Sequence, residues 1–242
     1  MLRATFLCSL LAATIVPACA TETAPDELAG ESGDGEAGKA DATASSFTYM
    51  TVTPDVRACS FNSRCGGFYV SRANRTSTQC GRGSVSSRCY VDSIDWSGTA
   101  MPASVAKSYE ARLRNGESFV LKGDIAPAAN DAGSSLAVTE IWVSGSSTGV
   151  EDGVFVMVKD NGIRCITAPC PSVSETRLNS GRAANIDEVD FSASGASDVV
   201  INRANEQIAG DGVIVVGDRF YPSRGKGRTA NQFFTRAPVP LH

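Results

Sequence analysis

The sequence predicts an α+β, mostly-β protein built from two tandem β-β-β-α-β-β units. Three observations predict it. Val91-Asp-Ser-Ile-Asp-Trp-Ser-Gly98 is echoed by Ile186-Asp-Glu-Val-Asp-Phe-Ser-Ala-Ser-Gly195, and Ser118-Phe-Val-Leu-Lys-Gly-Asp124 by Gly212-Val-Ile-Val-Val-Gly-Asp218. Upstream, Cys59, Cys65, Arg72 and Asn74 are matched by Cys165, Cys170, Arg177 and Asn179. Each copy reads as five short strand-like runs around one stretch with helical spacing.

In the first unit, 47–146, strands are expected near 47–53, 67–73, 88–96, 117–125 and 136–143. In the second, 150–242, they are expected near 153–159, 172–178, 184–192, 212–220 and 231–236. Pro102 suits a first helical turn; Val105, Tyr109 and Leu113 follow at i+4 spacing, and Asn115-Gly116 supplies a stop. In the second unit Ser197 can cap, Val200, Ile201, Ala204 and Ile208 form the stripe, and Gly210 ends it. Asp160-Asn161-Gly162 reads as a turn, and Asp124 and Asp218, each after a glycine, read as turn residues. Three strands, a helix and two strands is the order of an OB-type five-stranded barrel, and also of other five-stranded α+β modules.

The N-terminus reads as an export signal, residues 1–18. Arg3 supplies the positive end, and Ala4 to Val16 form an apolar run too short for a membrane-spanning helix. Val16-Pro17-Ala18-Cys19 has the form of a bacterial lipobox, which makes Cys19 the expected lipid site and membrane anchor. Ala18-Cys19-Ala20 also fits ordinary small-x-small cleavage. The stretch that follows, 19–46, favours the lipoprotein, because it has the composition of a disordered tether. It carries seven carboxylates against Lys39 alone, and Leu28 is its one large apolar residue. The net charge of −4 is therefore the tether's; without tether and signal the remaining chain stands at about +1.

Six cysteines remain in the folded part. The offset between copies is 106 and then 105 at the first two cysteines, 105 at Arg72 and Asn74, and 95 at Val91. The first unit thus holds ten extra residues between Asn74 and Val91, and Cys80 and Cys89 lie among them. The simplest pairing is Cys59–Cys65, Cys165–Cys170 and Cys80–Cys89 in an oxidising compartment. Such short loops contribute about 2 kcal/mol each at most. Their spacing matches no ordinary zinc pattern, and there is no Cys-x-x-Cys.

Gly67-Phe-Tyr-Val-Ser-Arg-Ala-Asn74, Cys89-Tyr-Val-Asp92, Leu136-Ala-Val-Thr-Glu-Ile-Trp142 and Arg164-Cys-Ile-Thr-Ala-Pro-Cys-Pro171 resemble a family of exported proteins, mainly myxobacterial, defined only as a domain of unknown function. The resemblance spans roughly 47 to 236. It implies a bacterial cell-envelope lipoprotein with a duplicated cysteine-containing module, and it brings no catalytic or binding residues with it.

Chemistry is sparse. The single histidine is His242, which removes Ser-His and Cys-His arrangements and histidine metal sites. Ser223-Arg-Gly-Lys-Gly-Arg-Thr229 lacks the phosphate-loop spacing. Asp92 and Asp95 recur as Asp187 and Asp190; in extended strands Asp92 and Asp187 share a face with apolar residues and need hydrogen-bond partners. A paired acid/base site, as in a carboxylate-dependent hydrolase, or a calcium site is one reading; a structural role is the other. The strongest charge pattern is basic. No acid lies between Val56 and Val91, while Arg57, Arg64, Arg72, Arg75, Arg82 and Arg88 do, interleaved with Phe61, Phe68 and Tyr69. Arg219, Arg224, Lys226 and Arg228 form a second cluster. Arginines beside aromatics suit anion recognition. The expected function is a non-enzymatic envelope lipoprotein, a tandem binding module for a cell-surface polyanion or an envelope protein, without cofactor or metal. A protease-inhibitor-like role, through disulfide-tied loops, is the narrower variant. The expected contact residues are Arg72, Arg75, Arg82, Arg88, Arg224, Lys226 and Arg228.

Overall fold

The computed structural model describes residues 48–58, 64–127, 133–146 and 153–238. The signal, the tether, Cys19 and Cys59 lie outside the described residues. The first copy supplies β1 (Thr48–Pro54), β2 (Phe68–Arg72), the short β3 (Thr78–Gln79) and β4 (Val85–Ser86), β5 (Cys89–Val91), β6 (Ser93–Asp95), α1 (Ala103–Arg114), β7 (Phe119–Pro127) and β8 (Ser134–Ser144). The second supplies β9 (Val154–Asp160), β10 (Val173–Arg177), β11 (Ala183–Ile186), β12 (Glu188–Asp190), α2 (Asp198–Ile208), β13 (Val213–Gly217), β14 (Arg219–Phe220), β15 (Gly227–Thr229) and β16 (Gln232–Arg236). Strands dominate, and α1 and α2 are the two α-helices among the described residues.

One curled sheet runs β11-β10-β9-β13-β16-β8-β7-β1-β2-β5, with β6 alongside β8. The pairing repeats from copy to copy. β1 lies between β2 and β7, β7 pairs β8, and the β5–β6 line touches β2 on one side and β8, in parallel, on the other. In the second copy β9 lies between β10 and β13, β13 pairs β16, β11 pairs β10, and β12 runs parallel to β15. A glycine bends the fourth strand line in each copy. A Cβ on Gly123 would lie 2.2 Å from the Ala137 carbonyl oxygen, and one on Gly217 would lie 2.0 Å from that of Thr229.

Each copy has its own apolar core. Phe68, Val70, Leu113, Leu121 and Leu136 centre the first; Val158, Phe191, Val213, Val215 and Phe233 centre the second. A third cluster joins the copies: Ala73, Val120 and Trp142 pack with their equivalents Leu178, Ile214 and Phe234. There β16 pairs β8, with Phe234 opposite Ser144, Thr235 opposite Val143 and Arg236 opposite Trp142. Val143 and Thr235 hold the same position in their copies, so the seam reads alike from either side. Asn74 and Asn179, both at φ 59°, complete it. Asn74 Nδ2 donates to the Phe155 and Leu178 carbonyls (2.7 and 3.1 Å), and Phe155 N–H donates to Asn74 Oδ1 (2.8 Å). Asn179 Nδ2 donates to the Tyr49 and Ala73 carbonyls (both 2.8 Å), and Tyr49 N–H donates to Asn179 Oδ1 (2.9 Å). Tyr49 and Ala73 are the equivalents of Phe155 and Leu178.

Several elements differ from expectation for local reasons. The strand expected over 88–96 breaks at Asp92, whose N–H donates to the Ser134 carbonyl while its Oδ2 accepts Ser134 N–H. Asp124 sits inside β7, just past a bulge at Lys122/Gly123, rather than in a turn. Ser197 stands at the N-cap of α2, but its side chain makes no capping bond. β15 lies in a run, Gly-Lys-Gly-Arg, that offers no apolar alternation. The β3–β4 hairpin occupies the insertion and was not expected.

Candidate ligand-binding site

β2 alternates buried Phe68 and Val70 with outward Tyr69 and Ser71. Across the sheet Tyr69 stands between Thr53 of β1 and Tyr90 of β5. The Tyr69 and Tyr90 rings meet edge to face, with centroids 5.6 Å apart. Arg88 lies over Tyr69 at 4.4 Å, and Arg57 lies 5.5 and 6.0 Å from the two rings. Arg57 is itself held by a bidentate pair with Asp55, both bonds 2.8 Å. That hydrogen bond lowers the Asp55 carboxyl below its usual range and raises the Arg57 guanidinium. Tyr90 Oη accepts Gly67 N–H at 3.0 Å, which fixes the second ring. The equivalent pair in the second copy is Ser174 and Asn185, so only the first copy carries this aromatic and cationic face.

Beside it lies a cleft of about 390 Å³ at the junction of the copies. Thr51, Thr53, Tyr69, Ser71, Arg72 and Arg88 line one side; Phe155, Gln232 and Phe234 of the second copy close the other. Arg72 is among the lining residues; it stands opposite Met50 of β1, in the row of Phe68 and Val70. Its Nε is buried and finds no hydrogen-bond partner among the described residues. Burial first, and then Arg75, hold its guanidinium below the usual arginine range. A desolvated cation without a counter-charge attracts an anion. Glu117, also at the cleft, is paired with Arg112 at 2.7 Å.

The remaining expected contact residues fall elsewhere. Arg75 donates to the Asn179 carbonyl at 2.6 and 3.2 Å and so serves the seam. Arg82 is exposed in the insertion, outside the cleft lining. Arg224 is exposed and Lys226 partly exposed in the loop before β15; Lys226 gives its backbone N–H to Asp187. Arg228 departs from its expected place at the surface. It is 2 % exposed, and its guanidinium pairs with buried Glu175, as does that of Arg219. Arg228 also donates to the Gly217 carbonyl at 2.6 Å. The Cys80–Cys89 and Cys165–Cys170 bridges form as expected. Cys65 is disulfide-bonded, and its expected partner Cys59 is outside the described residues.

The repeated carboxylates are tied to backbone. Asp92 Oδ2 accepts Ser134 N–H at 2.9 Å, and Asp187 Oδ2 accepts Lys226 N–H at 2.6 Å. Each also presses on a glycine, Gly133 and Gly225, where a Cβ would lie 1.9 and 2.3 Å from the same oxygen. Asp95 and Asp190 accept Ser97 and Ser192 N–H at 3.0 and 2.9 Å, and those backbone bonds lower both carboxyls. Among the described residues no cluster of three His, Cys, Asp or Glu side chains could hold a metal.

Sequence reasoning missed Tyr90, the Arg57–Asp55 pair and the Glu175–Arg219 pair. Aligning the copies carried the last signal: Glu175 aligns with Val70, Arg219 with Ile125 and Arg228 with Leu136, polar residues at core positions.

No helix among the described residues is long and apolar enough to cross a membrane. The two disulfides fit an oxidising, extracellular or periplasmic environment. Comparison with curated proteins and with solved structures gives no match. One family does match, over residues 48–238, and the chain belongs to it: the family described as Domain of unknown function (DUF6748).

Proposed function

We propose that the chain is a non-enzymatic, exported ligand-binding protein, held at the cell envelope through Cys19 and built from two OB-like barrels. The strand order supports the barrels. In each copy strand one pairs with two and four, four with five, and three closes on five in parallel, with the helix between three and four. OB-type barrels bind on the face of strands two and three. The single observation behind the binding reading is the face that β2 and β5 present: Tyr69 and Tyr90 with Arg57 and Arg88 on their rings, against Ser174 and Asn185 in the second copy. The ligand class is a polyanion of the cell surface or its surroundings. The backbone bonds at Asp92 and Asp187 favour structural duty over a carboxylate hydrolase.

Retention on an immobilised polyanion, heparin, is the test. The wild-type chain should bind at low salt, and Arg72→Gln with Arg88→Gln should elute earlier and flatten the salt dependence. Arg75→Ala should leave retention unchanged, since its guanidinium serves the Asn179 carbonyl. No retention of wild type at low salt removes the reading.

A further inference from the structure

We infer that the loop between β9 and β10 occupies the active-site cleft of an endoprotease, with Ile166 in a specificity pocket for branched aliphatic side chains. This loop belongs to the second copy and the proposed polyanion face to the first, so the two readings stand or fall separately. Four features of the loop carry the assignment.

First, the loop protrudes and carries an aliphatic residue at its apex. Gly162 to Pro169 are all exposed, the chain bends at each residue from Ile166 to Pro169, and Ile166 is fully exposed at 104 %. An apolar side chain held out in water gains from any pocket that covers it. Second, the apex offers its backbone. Ile166, Thr167 and Ala168 make no hydrogen bond among the described residues, so their N–H and C=O groups are open to the edges of a cleft.

Third, both sides of the apex are tied. The Cys165–Cys170 bridge closes the ring around it. Below the ring Asn161 spans the loop: its Oδ1 accepts Ile163 N–H at 2.9 Å, and its Nδ2 donates to the Pro171 carbonyl at 2.7 Å. Arg164 pairs with Asp160 at 2.7 Å. A loop already held in shape loses little freedom on docking. The same ties separate an inhibitor from a substrate. Hydrolysis of the Ile166–Thr167 bond adds one water, leaving a carboxylate on Ile166 and an amine on Thr167. Both ends stay attached through the disulfide, so the bond can re-form with loss of that water. Fourth, Thr167 and Ala168 after the apex are small, and no residue of the ring is charged. A trypsin-type pocket takes a cationic side chain, whereas an elastase-type pocket takes a small aliphatic one. A lipid surface fits less well, because membrane-docking elements present a broad apolar side bordered by Lys and Arg rather than one isoleucine.

The test is steady-state inhibition of an elastase-type and a trypsin-type serine endoprotease by the full chain, each enzyme followed with its own chromogenic peptide. Wild type should inhibit the elastase-type enzyme, and Ile166→Gly should weaken that inhibition by about hundredfold. Ile166→Lys should move inhibition to the trypsin-type enzyme. Cys165→Ser with Cys170→Ser should turn the loop into a substrate, read by mass spectrometry as complete cleavage after Ile166. Ile166 is fully exposed, so its replacements should keep the wild-type circular dichroism spectrum. Wild type without effect on the elastase-type enzyme overturns the assignment, as does an Ile166→Gly variant that inhibits as well as wild type. Cosedimentation of wild type with phosphatidylglycerol vesicles, lost in Ile166→Gly and without protease inhibition, would give the apex to a lipid surface instead. None of these outcomes bears on heparin retention, which reads the first copy.

Discussion

At the scale of single residues, the two copies perform a substitution experiment on each other. Val70, Ile125 and Leu136 pack the first core; Glu175, Arg219 and Arg228 stand at the same positions of the second. Ile125 pairs with Leu136 across its strands as Arg219 pairs with Arg228. One fold therefore accepts an apolar trio or a buried ion triad at the same point. Desolvating three charges cancels most of their attraction, so the triad adds little net stability. Removing Glu175 alone takes the shared carboxylate from two buried arginines. Glu175→Val should cost about 3–5 kcal/mol, whereas Glu175→Val with Arg219→Ile and Arg228→Leu should be neutral or gain about 1–4 kcal/mol. Urea unfolding of both variants reads this directly. A triple variant less stable than Glu175→Val would contradict it.

At the scale of elements, the seam depends on two asparagines that bond across it to equivalent backbone groups. Each sits at φ 59°, a left-handed conformation that asparagine tolerates better than alanine. Asn74→Ala and Asn179→Ala should each cost about 2–4 kcal/mol, from three lost hydrogen bonds and backbone strain. The two losses should agree within about 1 kcal/mol, because the partners are the same in kind. Denaturant midpoints measure both; a large loss at one and none at the other would show that the seam is not symmetric.

The elements also show what the sequence could convey. Strand positions and both helices follow from apolar periodicity, but the third strand line of each half breaks, at Asp92 and at Asp187, and the fourth line of the second half is interrupted at Asp218. At Asp92 and Asp187 a side chain bonds a backbone forty-two and thirty-nine residues away, which no local pattern records. β15 carries no apolar alternation, only a buried arginine whose partner lies on β10. The candidate site was half legible. Arg72 and Arg88 belonged to the basic run, but nothing along the chain distinguishes them from Arg75, which points across the seam. Tyr90 hides beside Cys89, and its pairing with Tyr69 exists only in the register of β2 and β5.

At the scale of the whole molecule, the two cores share a third, and β8 and β16 join them into one sheet. Phe234 and Trp142, both buried, belong to neither copy alone. The copies should therefore unfold together. Residues 48–238 should show one calorimetric transition with equal van't Hoff and calorimetric enthalpies. Two resolved transitions would mean that the third core contributes little.

The seam's symmetry has an evolutionary corollary. Two identical chains joined about a twofold axis must carry every substitution twice, so neither face can change alone. One chain with both copies is released from that rule. Here the first half carries tyrosines and a stapled ten-residue insertion, while the second has serine and asparagine on the same face and charges in its core. In the proposed reading one half recognises and the other supports.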